Sequence, residues 1–211
     1  GMAVVHVPLP PLDNLSNDVA VIWSDSRQIS NEQRQKAWAM LGEIAAWSGY
    51  ISRQEKDDLN TNLKIRFLME NVDKLEASVI QQFSLGSVDM TTARLYITFL
   101  NDFIIANDVP TKKPLRELCE DVLHYVYMCT VHKKCAVCGA FCDLHHVDRV
   151  GMGRNRDEIC HIGMEALPLC RIHHGEAHTL GDYRFMDFYH LEAIVIDKKI
   201  ASIYKLKGEN A

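Results

Sequence analysis

With 211 residues, 47% hydrophobic and 24% charged, the chain can bury a core as one large domain or two small ones, and no run approaches the roughly 18–20 apolar residues of a membrane span. A net charge of −5 argues against a uniformly basic nucleic-acid-binding surface. The charge is uneven: from Thr130 onward basic and acidic side chains number eleven each, so the deficit lies in the residues before it.

Gly1 ahead of Met2 reads as a remnant of tag removal, and Met2–Leu12 has prolines and no basic start where a signal peptide would have an apolar helix. A cytoplasmic location is therefore expected. Val4–Val7 and Val19–Trp23 alternate as two short strands would. Ser30 and Gln33 have capping-box spacing, and Trp38, Leu41, Ile44 and Ala45 follow at helical intervals up to a stop at Gly49. A second helix is expected over Arg53–Met69, with Leu59, Leu63 and Phe67 on one face, and an extended link over Gln82–Val88. Asp89 caps a third helix with Ala93, Tyr96, Ile97, Leu100 and Ile104 inward, ended by Pro110. Pro114 opens a fourth through about Met128, with Leu115, Leu118, Val122 and Tyr125 inward. Apolar side chains at such spacing form a core, and Trp38 and Trp47 are placed there too, with stacking on bases as the alternative. The texture changes near Thr130, dividing the chain into a mainly helical domain, 1–129, and a second domain, 130–211.

The second domain is rich in metal-binding side chains. Seven cysteines in a cytosolic chain are not a disulfide framework; five of them lie between Cys135 and Cys170, and most of the ten histidines lie at or beyond His132. Cys135-Ala-Val-Cys138 and Cys170-Arg-Ile-His173 form two hooks, which together supply four soft ligands for one closed tetrahedral zinc. The 31 residues between the hooks are too many for a simple zinc ribbon and contain His145-His146. His174 and His178 are i, i+4 neighbours whose imidazoles share one helix face, whereas His173 points elsewhere, toward the zinc. Leu144–Val147 reads as a strand, so His145 and His146 face opposite sides. One of them can join His174 and His178 in a three-histidine site with open positions, and the other stays metal-free as a base. Cys142 and Cys160 read as packed thiols. Phe185–Tyr189 should form a helix and Ala193–Ile196 a strand that close the domain.

The stretch Cys135–His178, with its His-His-Val-Asp-Arg-Val-Gly-Met-Gly-Arg-Asn-Arg run, resembles the phage HNH endonucleases of ββα-metal fold. The resemblance implies an α+β protein: a mainly helical N-terminal domain followed by a zinc-stapled ββα-metal HNH domain. It makes His146 the general base, assigns His145, His174 and His178 to a catalytic divalent ion (Mg, Mn, Ni or Zn), and gives Cys135, Cys138, Cys170 and His173 the structural zinc. The middle Asn of the family pattern is missing; Glu165 stands near its place, and Asn155 lies ten residues earlier. Glu165 or His161 is a candidate to take over the bracing. Arg154 and Arg156, in a glycine-containing loop, suit the DNA phosphates.

Ile29–Leu41 and Thr92–Val109 resemble, more loosely, helices of the Orf/NinB phage recombination proteins. That likeness implies binding of single-stranded or branched DNA in phage recombination. Together the two resemblances point to a DNA phosphodiesterase of the host-cell cytoplasm, acting on single-stranded, branched or duplex DNA, with no membrane partner and room for a homodimer. The rival reading is a non-catalytic, zinc-stapled DNA-binding or recombination-mediator protein.

Overall fold

The computed structural model describes residues 27–75, 77–147 and 160–206. The two strands expected at Val4–Val7 and Val19–Trp23 lie outside them, as do Arg154, Asn155 and Arg156. Among the described residues no helix is long and apolar enough to cross a membrane.

Helix α1 (Asn31–Trp47) starts as expected. Ser30 Oγ accepts from the Gln33 amide at 3.0 Å, and the Gln33 side chain accepts from the Ser30 amide at 3.2 Å. Two otherwise unpaired N–H groups are thus satisfied, an arrangement worth about 1 kcal/mol. Helix α2 (Arg53–Glu70) buries Leu63 and Phe67, and a short α3 (Ala77–Gln82) precedes the turn that leads to Asp89. Asp89 caps α4 (Met90–Ala106), whose five predicted core residues are all buried. This helix ends before the predicted Pro110, because Asn107 caps it: both the Asn107 amide and its side-chain Nδ2 donate to the Phe103 carbonyl.

The fourth helix differs from expectation at its start. Leu115–Glu117 makes only one 3-10 turn, and α5 runs over Val122–Val131. The Asp121 carboxylate accepts from the His124 amide at 3.0 Å and begins a new helix there. Trp38 and Trp47 are also corrected, being 51% and 46% exposed. The buried stripe of α1 runs through Ala37, Met40, Leu41, Ile44 and Ala45, and both indoles sit on its flanks.

Buried side chains fall into two clusters. One joins α1, α2 and α4 through Met40, Ile44, Phe67, Tyr96 and Leu100. The other gathers Tyr125, Val126 and Cys129 of α5 with Leu167, Leu169, Phe185, Ile194, Ile196 and Ile200. The second cluster is built on a three-stranded antiparallel sheet ordered β1-β2-β3, of Asp143–His146, Glu165–Leu169 and Ile194–Val195. His145 is paired with Leu167 and His146 with Ala166. Helices α6 (Arg171–Leu180) and α7 (Asp182–Tyr189) follow β2, and α8 (Lys198–Tyr204) follows β3. Strand β3 and helix α7 fall where the closing elements were expected, while α8 was not anticipated. The class is α+β, a mixture of helices with one small sheet.

Candidate metal centre

The first ligand set is assembled by a knuckle and a helix start. Residues Cys135–Cys138 turn back at Gly139, whose φ of +72° is a left-handed conformation that suits glycine, and its amide donates to the Cys135 carbonyl at 2.8 Å. The Ala136 amide donates to the Pro168 carbonyl at 3.0 Å, fixing the knuckle to β2. On the other side of this set Cys170 is the N-cap of α6, and its side chain makes no cap hydrogen bond. Instead its Sγ lies 3.7 Å from Cys138 Sγ and 3.1 Å from His173 Nδ1, and Cys135 Sγ lies 3.5 Å from that nitrogen. A tetrahedral zinc with ordinary Zn–S and Zn–N lengths of about 2.3 and 2.0 Å separates its sulfurs by about 3.8 Å and a sulfur from a nitrogen by about 3.5 Å. The four side chains therefore fit the ion.

Their protonation follows the same logic. Burial alone would raise the Cys170 thiol, but the amides of His173 and Ile172 and the thiols of Cys138 and Cys135 outweigh it and hold the thiol below its ordinary value. Burial pushes the Cys135 thiol up to about 12, and a cation bound beside it would favour the thiolate, with the proton released to water.

The second set joins two further residues of the same helix, His174 and His178, to His145 of β1. One ligand atom each from His145, His174 and His178 falls within 4.8 Å of the others, as is also true of the cysteine-containing set. The ring centroids are 4.5 Å (His145 to His174), 4.9 Å (His145 to His178) and 4.8 Å (His174 to His178) apart. His145 is 1% exposed. Its Nε2 is 2.8 Å from Asp182 Oδ1 at the start of α7, and its buried Nδ1 has no hydrogen-bond partner. An unpaired buried ring nitrogen facing two further imidazoles is costly unless a cation fills the space, and a carboxylate on the far nitrogen is the usual support of a metal-bound histidine. Burial, then the neighbouring His145 and His178, lower the pKa of His174, with Asp143 opposing; that ring stays neutral at pH 7 with a lone pair to give. The residues fit a three-nitrogen ion site.

His146 faces away from this set, as alternation along β1 requires. Its Nε2 lies 2.9 Å from His161 Nδ1. Glu165, where the middle Asn was sought, is exposed on β2, and its backbone carbonyl accepts from the Val147 amide at 2.9 Å. Cys142 is buried with its Sγ 3.7 Å from the Tyr204 hydroxyl, and burial pushes its thiol up to about 11, which suits packing. Cys160 is half-buried and belongs to neither ligand set. One residue of the site and one contact are not marked by the sequence pattern. Asp182 lies 37 positions from His145, and its only hint is its place after the Gly181 helix break. His161 was noticed, but its contact with His146 was not.

A β-hairpin followed by a helix, bearing a histidine set on the facing surfaces and a cysteine-rich staple beside it, defines a ββα-metal protein. The particular family is given by sequence comparison: the chain belongs to the family described as "Putative HNHc nuclease", matching it over residues 12–207. No curated protein and no solved structure matches the chain. The family match runs through the helical part as well, whose resemblance to Orf/NinB proteins finds no support in these comparisons.

Proposed function

We propose that the protein is a metal-dependent endonuclease that hydrolyses DNA phosphodiester bonds, acting in DNA recombination or processing. One observation carries the reading: three imidazoles converge around the unpaired Nδ1 of His145, while the next residue, His146, turns a fourth imidazole to the other face of the strand.

His146 removes a proton from water: the water O–H bond breaks, an N–H bond forms on the ring, and the oxygen attacks phosphorus. The P–O bond to the 3′ oxygen then breaks with its electron pair going to that oxygen, which takes a proton from solvent water, leaving 5′-phosphate and 3′-hydroxyl ends; His146 returns its proton to solvent. A divalent ion (Mg, Mn, Ni or Zn) held by His145, His174 and His178 would supply positive charge toward the phosphate and the departing oxygen. Cys135, Cys138, Cys170 and His173 would hold a structural zinc, which would fix the start of α6. Arg154 and Arg156 hold the DNA backbone through their guanidinium groups. The helical domain, 1–129, presents the substrate, and the exposed indoles of Trp38 and Trp47 offer surfaces on which bases stack.

The test is cleavage of plasmid, linear, single-stranded and branched DNA with each metal, by wild type, His146→Ala and His145→Ala. His146→Ala should lose on the order of 10²–10⁴-fold in rate while metal affinity and DNA binding persist. His145→Ala should lose the ion and recover part of its activity as metal is raised. If His146→Ala is the variant that loses metal, the two roles are exchanged. Normal cutting by both variants, or no cutting by wild type with any metal, leaves the rival reading of a non-catalytic DNA-binding protein.

A further inference from the structure

We propose that His161 is a positioning residue that fixes the ring orientation and tautomer of His146. This rests on the reading of His146 as the base.

The two rings come from opposite ends of the connection between β1 and β2, yet their nitrogens are 2.9 Å apart and their centroids 4.8 Å apart with the planes tilted by 55°. That is a hydrogen bond from ring to ring. The backbone beneath His161 is anchored independently. The Met164 amide donates to the His161 carbonyl at 3.2 Å, closing a turn in which Gly163 has φ of +89°. The Gly163 amide donates to the Ile196 carbonyl at 2.9 Å, and the Ile196 amide returns a bond of 2.9 Å to the Met164 carbonyl. The turn is thus tied to the residue that follows β3. Among the described residues His161 belongs to neither ligand set, so its ring is available for this duty.

A neutral imidazole carries one N–H and one lone pair, and a bond between two ring nitrogens requires one ring to donate and the other to accept, so the tautomers of the two rings are coupled. With His146 accepting the water proton on Nδ1, its resting proton sits on Nε2 and is donated to His161 Nδ1. The proton of His161 then sits on its own Nε2. Once His146 has taken the proton, both its nitrogens are donors, and the bond to His161 persists with a charged donor, which strengthens it.

The substitutions are His161→Ala and His161→Leu, which remove the acceptor, and His161→Gln, whose side-chain carbonyl restores one. The first two should lower kcat about 10–100-fold, as expected for one hydrogen bond to a charged group. KM, zinc content and DNA affinity should stay within about two-fold, and Gln should return most of the rate. Ring ¹⁵N shifts give a readout independent of cleavage. His146 should be the Nε2–H tautomer in wild type and in His161→Gln, and a mixture of tautomers in the Ala and Leu variants. An unchanged tautomer in all variants overturns the proposal whether or not the protein cuts DNA. So does an equal loss of rate in Gln and Leu, and so does loss of a bound ion in His161→Ala, which would make the pair metal ligands. A wild type that fixes the tautomer but cuts no DNA with any metal would refute the nuclease reading and leave the ring-to-ring contact standing.

Discussion

Asp182 provides a sharp test of the three-histidine site, because its contact with His145 has two explanations of different size. The carboxylate lies 2.8 Å from Nε2 of a ring that is almost wholly buried, while Asp182 itself keeps about a quarter of its side chain exposed, at 25%. If it only satisfies a buried nitrogen, Asp182→Ala costs folding stability, about 1–3 kcal/mol for an orphaned donor and less where water reaches it. Metal affinity would not change. If it orients and polarises a metal-bound imidazole, Asp182→Ala weakens the ion 10–100-fold, about 1.4–2.8 kcal/mol. The unpaired His145 Nδ1 favours the second account. Asp182→Asn keeps an oxygen near Nε2 but loses the charge, so its loss should lie at the lower end of that range. The assay is calorimetric titration with Ni or Mn on protein whose zinc content has been verified, beside urea unfolding without added metal. A stability loss above about 1 kcal/mol with metal affinity unchanged would refute the argument that Asp182 supports a ligand.

Three further outcomes are expected. Purified protein should carry about one tightly held zinc, and Cys138→Ser should lose it and melt the C-terminal domain, because metal binding supplies folding energy there; full zinc retention removes the assignment. Replacing Arg154 and Arg156 together by Ala should weaken binding to all DNA sequences and reduce the salt slope by about 2, near 0.9 per phosphate contact; an unchanged slope excludes them from the interface. The His124 ring lies 2.8 Å from Asp102, and that hydrogen bond, against the opposing effect of burial, raises its pKa above the ordinary 6.5. Its stabilising contribution should be full below the unfolded value of about 6.5 and fade as pH rises through the folded one, so the urea midpoints of wild type and His124→Gln should converge once the pH is well above the folded value, and a pH-independent gap would contradict this.

Local chemistry made much of the architecture legible. Ser30 with Gln33, and Asp89 ahead of an apolar helix, are start signals that act within four residues, and both were read correctly. The cysteine hooks and the i, i+4 histidines were equally legible, since ligand spacing is a local property. Failures came where distant packing decides. Nothing near Pro114 says that Asp121 will restart the helix, or that Trp38 and Trp47 will miss the stripe that α1 buries. The partners of His145 and His146 were invisible for the same reason, because Asp182 and His161 approach only after the sheet and α7 have formed.

Helix α6 is ten residues long and offers His173 to one ligand set and His174 and His178 to the other. Two ions held by one short helix would not titrate independently. Release of the cysteine-bound ion would let the first turn of α6 fray, and the fraction of molecules in which His174 and His178 still converge would fall with it. The apparent affinity for the second ion scales with that fraction, and by linkage the second ion must in turn tighten the first. Chelation should therefore be ordered: a weak chelator strips the exchangeable ion and leaves the fold intact, whereas a strong one removes both in a single cooperative step.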